Sequence, residues 1–185
     1  MSHVYCVGDL HFGHKNICAF RGNLLGNIPI TTEEEHREAV IFLWNQRITK
    51  RDTVFVLGDA VFTEDTLEDI SRLKGTKVLV HGNHDVLNAS AYLTVFKDVA
   101  GMIRSRASWL THAPIHPQEL RGKINIHGHV HNATIDDRRY RNVSLENTIP
   151  FAPVLLSSLI TEPERVLRTV GKRVTPDVAF GEVRM

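Results

Sequence analysis

Five short segments of the chain carry side chains of the types that bind divalent metals. They are Asp9-Leu10-His11, Gly58-Asp59, Gly82-Asn83-His84-Asp85, Thr111-His112 and Gly128-His129-Val130-His131. Carboxylate, imidazole and carboxamide together suit Mn²⁺, Fe, Co, Ni or Zn²⁺, and the absence of thiolate speaks against a structural zinc site. An Asp-x-His or His-x-His on extended backbone presents both side chains on one face, because strand side chains alternate with period two. Each such pair can straddle a dinuclear centre, and one carboxylate such as Asp59 can bridge two cations with its two oxygens. Two metals ~3.5–4 Å apart acidify a shared water and stabilise phosphoryl oxygens during in-line attack. His84 adjoins a candidate ligand without having to be one. A histidine there can donate a proton to a leaving oxygen beside a bound phosphate.

Taken singly, these segments say little. An Asp-Leu-His triplet arises often by chance, a Gly-Asp at the end of a strand is usually a turn, and a lone histidine such as His112 is more often a hydrogen-bonded, partly buried residue than a ligand. Gly-Asn-His-Asp and His-x-His are more specific. The weight lies in the conjunction of five motifs, each directly following a strand-like run.

Those runs imply a scaffold. His3-Val4-Tyr5-Cys6-Val7, Thr53-Val54-Phe55-Val56-Leu57 and Lys77-Val78-Leu79-Val80-His81 read as strands. Between the first two, Thr31 and Thr32 precede Glu34 and Glu35 by three residues, a doubled capping-box pattern opening a helix from about Glu33 to Ile48 that buries Val40, Leu43 and Trp44. A shorter helix over about Thr66 to Leu73 is expected between the second and third strands. Further on, Gly101 to Ile103, Ala107 to Thr111, Lys123 to His127, Arg139 to Val143 and Val154 to Ser157 are strand candidates with shorter connections. Helix-separated strands favour parallel pairing, while closely spaced ones favour hairpins. The expected fold is α/β, two packed mixed sheets flanked by helices, in a single domain spanning residues 1–185. In such sheets the carboxyl ends of the strands converge on one crevice, where Asp, His and Asn from separate loops would meet. The segment from Arg165 to Met185 carries only a weak mixed signal.

Composition sets outer limits. Hydrophobic residues make up 42% and charged residues 23%, a globular profile. The formal net charge of +1 builds in no long-range attraction to nucleic acid or an anionic membrane. Cys6 and Cys18 form neither a CxxC pair nor a disulfide framework. No apolar run approaches the ~18–20 residues needed to span a bilayer, and Met1 to Tyr5 shows no leader-like pattern. The expected compartment is the cytoplasm.

The ordered series Asp9-x-His11, Gly58-Asp59, Gly82-Asn83-His84-Asp85, His112 and Gly128-His129-x-His131 resembles the calcineurin-like metallophosphoesterases over about residues 3–145. Asp9 to Ile17, Trp44-Asn45 and Asp52-Thr53-Val54 are similar to a small bacterial and phage branch of that family. The resemblance implies a four-layer sandwich and two divalent ions, with manganese the first expectation and iron, nickel, cobalt or zinc the alternatives. It places Asp9, His11, Asp59 and His131 on one ion, and Asp59, Asn83, His112 and His129 on the other. It makes His84 the group that contacts phosphate and protonates the leaving oxygen while a hydroxide from the metal pair attacks. In the protein-phosphatase and diadenosine-tetraphosphatase branches, Gly-Asp extends into Gly-Asp-x-x-Asp-Arg-Gly. Here the run is Gly58-Asp59-Ala60-Val61-Phe62-Thr63, without that Asp or Arg. Phosphodiester or nucleotide-like substrates are therefore expected over phosphoproteins. A phosphomonoesterase or nuclease of the same family, and a catalytically silent binding module that keeps the fold, are the competing readings.

His14, Asn16 and Arg21 follow the first metal loop and are candidate substrate contacts, Arg21 as a bidentate phosphate fork. The bland alternatives are a helix-capping His14 and a solvated Arg21. His116 is placed on the crevice rim, and His81 and His127 in supporting positions. The basic run Arg138-Arg139-Tyr140-Arg141 could touch a nucleic-acid backbone, but such a run is more often a charged strand edge; a small phosphoester is the expected partner.

Overall fold

The computed structural model describes residues 1–21, 30–105, 107–148, 150–161 and 173–174. β1 (Val4–Val7) leads into a short helix α1 (Ile17–Arg21) and the long helix α2 (Glu33–Arg47). β2 (Thr53–Val56) is followed by two 3-10 segments, and β3 (Thr76–Val80) by α3 (Ala89–Tyr92) and β4 (Asp98–Ala100). The second half contributes β5 (Ile103–Arg104), β6 (Ser108–Thr111), β7 (Ile124–His127), β8 (Thr134–Ile135), β9 (Tyr140–Asn142), β10 (Val154–Leu155), α4 (Leu156–Thr161) and β11 (Arg173–Val174).

Two mixed sheets result. The first has the order β10-β1-β2-β3-β4, parallel except for β10; the second has the order β5-β6-β7-β9, parallel except for β5. A small parallel pair joins β8 to β11. One apolar cluster, including Cys6, Leu57, Val80, Leu110, Ile126, Val143 and Leu159, draws residues from both sheets and fills the space between them. A larger one packs α2, through Val40, Ile41 and Trp44, onto the first sheet through Val7, Val54, Val56 and Leu79. The sheets also meet directly at their site ends. The Gly8 amide donates to Val143 (2.8 Å), the Leu145 amide donates to Gly8 (3.0 Å), and Gly8 bridges to Ser144.

Local chemistry explains the element that frames the first loop. Thr32 caps α2 by accepting from the Glu35 amide (3.1 Å), while the Glu35 carboxylate accepts from the amides of Thr32 (3.2 Å) and Thr31 (2.8 Å). The first helical residue, Glu33, accepts from the Gly13 amide (2.7 Å), which ties the helix start to the loop after β1.

Three expectations are corrected. The segment from Thr66 to Leu73 forms 3-10 turns, Glu64–Thr66 and Glu68–Arg72, not an α-helix. Leu67, Ile70 and Leu73 bond back three residues apart and are all buried, so a three-residue turn places all three on one inward row. The strand expected at Val154 to Ser157 stops at Leu155, where α4 takes over. The hairpins expected in the second half reduce to β5–β6. The connections over residues 112–123 and 128–139 are each long enough for a crossover, and both β6–β7 and β7–β9 pair parallel. The segment from Arg165 to Met185 lies outside the described residues apart from β11.

Candidate metal centre

The loops after β1, β2, β3, β6 and β7 come together at one end of the two sheets. His11 Nε2 lies 3.8 Å from Asp9 Oδ1 and 3.8 Å from Asp59 Oδ2, and His112 Nε2 lies 3.5 Å from Asp59 Oδ1. His112 Nε2 is 2.7 Å from Asn83 Oδ1 and 3.1 Å from His129 Nδ1. Ligand atoms of Asp9, His11 and His131 fall within 4.8 Å of one another, as do those of Asp9, Asp59 and His112. The two oxygens of Asp59 thus face two different imidazoles.

Backbone conformation marks the same residues, and it is not the extended backbone expected for the Asp9-x-His11 and His129-x-His131 pairs. Asp9 (φ 59°), His11 (56°), Asp59 (52°), His129 (70°) and His131 (49°) all adopt the left-handed region. Each costs energy for a residue with a Cβ, and such strain concentrates where the surrounding structure enforces it for function. The motif glycines have a complementary role. A Cβ at Gly58 would overlap the His112 ring, one at Gly82 would overlap the Asp59 carboxylate, and one at Gly128 would overlap the Asp9 carboxylate. Each glycine leaves room for a candidate ligand arriving from another loop.

Hydrogen bonds fix the orientations. His112 Nδ1 sits 2.9 Å from the Leu57 carbonyl, which can only accept; Nδ1 therefore donates, and the Nε2 lone pair turns toward Asn83, His129 and Asp59. His131 Nδ1 donates in the same way to Glu146 Oε1 (3.1 Å), freeing its Nε2. Both nitrogens of His11 are buried and make no hydrogen bond. The Asp85 carboxylate accepts from the amides of Asp59 (2.9 Å), Ala60 (2.9 Å) and Gly82 (2.8 Å), locking the loops after β2 and β3 together. The Asp59 Oδ1 accepts from the His84 amide (2.9 Å), and Asp9 accepts from the His129 amide (3.0 Å).

Burial sets the protonation states. It pulls the His11 imidazole down to about 2, with the Arg21 charge adding to the effect, so that ring stays neutral. Burial pushes the Asp9 carboxyl up to about 6 against the opposing pull of His131 and His112. Imidazoles and buried carboxylates whose lone pairs converge are a donor set that a divalent cation satisfies. The residues present fit metal ions.

The remaining candidates divide. Arg21 is not on the crevice surface. It is fully buried, donating to Glu146 Oε1 (2.8 Å), to the Asp9 carbonyl (2.7 Å) and to the Leu10 carbonyl (3.3 Å), with His36 Nε2 3.3 Å away. A guanidinium this deep needs several acceptors, and Glu146 with the first metal loop supplies them. His14 is half-buried, accepts from the Asn16 amide (3.2 Å) and packs its ring 4.5 Å from Phe62; Asn16 is exposed. His116 caps the 3-10 segment Pro117–Leu120, His127 is buried with Nδ1 donating to the Gly128 carbonyl, and His81 packs against Tyr92. In the basic run, Arg139 is paired with Asp137 (2.6 Å) and Arg141 is buried. From the sequence, Glu146 and Phe62 carry no assigned role, and Asp85 appears only as the end of the Gly82-Asn83-His84-Asp85 motif. Glu146 stands beyond every motif, and its contacts with His131 and Arg21 reveal it.

The fold and site together place this chain among the calcineurin-like phosphoesterases. The family model for that group matches residues 2–172, and the chain belongs to it. It is 32% identical to the Gene 66 protein of Mycobacterium phage L5, over 75% of this chain and 82% of that protein. It is also 29% identical to an uncharacterized protein of Methanocaldococcus jannaschii, over 92% of this chain and 98% of the other. A protein of unknown function from Aquifex aeolicus has the same fold, with a TM-score of 0.63 at 20% identity, covering 83% of this chain and 95% of that one. Among the described residues no helix is long and apolar enough to cross a membrane.

Proposed function

We propose that the chain is a two-metal phosphoester hydrolase that prefers phosphodiester or nucleotide-like substrates. Asp9, His11, Asp59 and His131 would hold one ion, and Asp59, Asn83, His112 and His129 the other. The observation that carries this reading is Asp59, a buried carboxylate with one oxygen toward His11 (3.8 Å) and the other toward His112 (3.5 Å). When bound, a metal pair, with manganese the first candidate, supplies an acidified water and neutralises phosphoryl charge.

The protein's own groups supply the rest. His84 stands beside Asp59 with its side chain exposed at the mouth of the site, where it can donate a proton to a departing oxygen. The loop after Asp59 carries Phe62 and Thr63, and Arg21 is committed to Glu146. No arginine from that loop meets the phosphate, which favours a diester, with its single charge, over a dianionic monoester or a phosphoprotein.

Purified protein assayed on bis-p-nitrophenyl phosphate and p-nitrophenyl phosphate with added Mn²⁺ should hydrolyse the diester faster. His84→Ala should lower turnover roughly 10²–10⁴-fold on a substrate that needs an acid, with metal content unchanged. Stoichiometric metal without turnover on either ester would instead favour a binding module.

A further inference from the structure

Among the described residues the imidazole of His84 makes no hydrogen bond; its bond to Asp59 comes from the backbone amide. What it meets is a ring. Phe62 lies 4.6 Å from His84, centroid to centroid, at an interplanar angle of 25°. Phe62 is itself held. Its amide donates to the Phe12 carbonyl (2.7 Å), the preceding Val61 is buried and bridges to Phe12, and His14 packs edge-on against its ring at 4.5 Å. A third imidazole, His11, lies 5.1 Å from the same ring. Phe62 therefore sits on backbone anchored to the first metal loop and presents a flat face to an otherwise exposed imidazole.

We propose that Phe62 is the positioning residue for His84, stacking on the imidazole to hold it toward the leaving oxygen in place of a hydrogen-bonding side chain. This rests on the reading of His84 as the proton donor. An exposed histidine samples several rotamers, and a ring against one face excludes those that swing it away. Offset stacking is a favoured arrangement for such a pair. It also leaves both ring nitrogens free, so the donating edge is not spent on a partner. Phe62 touches no reacting atom; its effect passes through His84.

Such a role has a signature that a merely structural one lacks. A proton donor matters little when the leaving group is p-nitrophenolate and much when it is the more basic phenolate. Phe62→Leu should lower kcat on diphenyl phosphate by roughly tenfold more than on bis-p-nitrophenyl phosphate, a fraction of the ~10²–10⁴ a general acid contributes. Metal content should be unchanged, and Phe62→Tyr, which keeps the ring, should restore the ratio. In wild-type protein loaded with diamagnetic Zn²⁺, the His84 ring protons should be shifted upfield in the NMR spectrum by the Phe62 ring, and Phe62→Leu should abolish that shift. Equal losses on both esters, or an unshifted His84, would overturn the positioning role and leave the hydrolase reading standing. Failure of wild-type protein to turn over either ester would overturn both. If Phe62→Leu does not fold, Phe62→Met carries the same comparison.

Discussion

His131 shows how much of this site lies beyond its ligands. Its Nδ1 donates to Glu146, and Glu146 is in turn clamped by the fully buried Arg21, which also holds the carbonyls of Asp9 and Leu10. A metal-facing imidazole whose other nitrogen meets a carboxylate is oriented and made more basic, and loss of such a partner costs ~10–100-fold in metal affinity. Glu146→Gln should weaken binding of one metal equivalent by that order, measured by calorimetric titration. Burial alone would raise the Glu146 carboxyl, but Arg21 and the His131 hydrogen bond outweigh it and hold it at about 2, against an ordinary 4.5. A carboxylate with a depressed folded-state pKa contributes stability that is present above its ordinary value and lost as pH falls through the depressed one. In metal-free protein, the stability advantage of wild type over Glu146→Gln should hold above pH 4.5 and shrink toward pH 2, followed by urea unfolding. The candidate ligand side chains could be picked out because their types and motifs carry the chemistry. Glu146 could not, and Arg21 was expected as a phosphate fork and not as its partner, because a contact spanning 125 residues leaves no local pattern; nothing local marks the Phe62 ring as the neighbour of His84.

At the scale of elements, strands end where candidate ligands begin. β1, β2, β3, β6 and β7 each stop within a few residues of a ligand. The strand runs and the capping box of α2 were readable, since both are written in local periodicity and hydrogen-bonding residues. The parallel pairing of β6–β7 and β7–β9 was not, since sequence proximity does not tell a tight turn from a dozen-residue crossover until the pairing partner is known. The 3-10 turns escaped because Leu67, Ile70 and Leu73 also suit one helix face. The loop glycines looked like ordinary turn residues, yet the space they leave is filled by ligands from other loops. Gly128→Ala would place a methyl group against the Asp9 carboxylate. Overpacking of this kind costs ~1–3 kcal/mol, so the variant should melt several degrees lower and bind less metal, read by thermal unfolding with and without Mn²⁺. Retained metal stoichiometry would show that the loops can separate without loss.

For the whole molecule, the architecture works by convergence. Two sheets share an apolar interior, and the Gly8 contacts with Val143, Ser144 and Leu145 stitch their site ends together. Neither sheet holds a complete site alone. Asp9, Asp59 and Asn83 come from the first sheet's loops; His112, His129 and His131 come from the second's. The mixed two-sheet fold followed from the change in strand spacing along the chain, whereas the register that brings five loops to one point is a property of tertiary packing. The proposed hydrolase would need two cooperating ions that share Asp59, and one titration tests this most directly. Metal-free protein is given increasing Mn²⁺ while bound metal and turnover of bis-p-nitrophenyl phosphate are followed together. Two equivalents should bind, with activity rising with the second, and Asp59→Asn should lose both. Full activity at one equivalent, or unimpaired binding and turnover in Asp59→Asn, would contradict it.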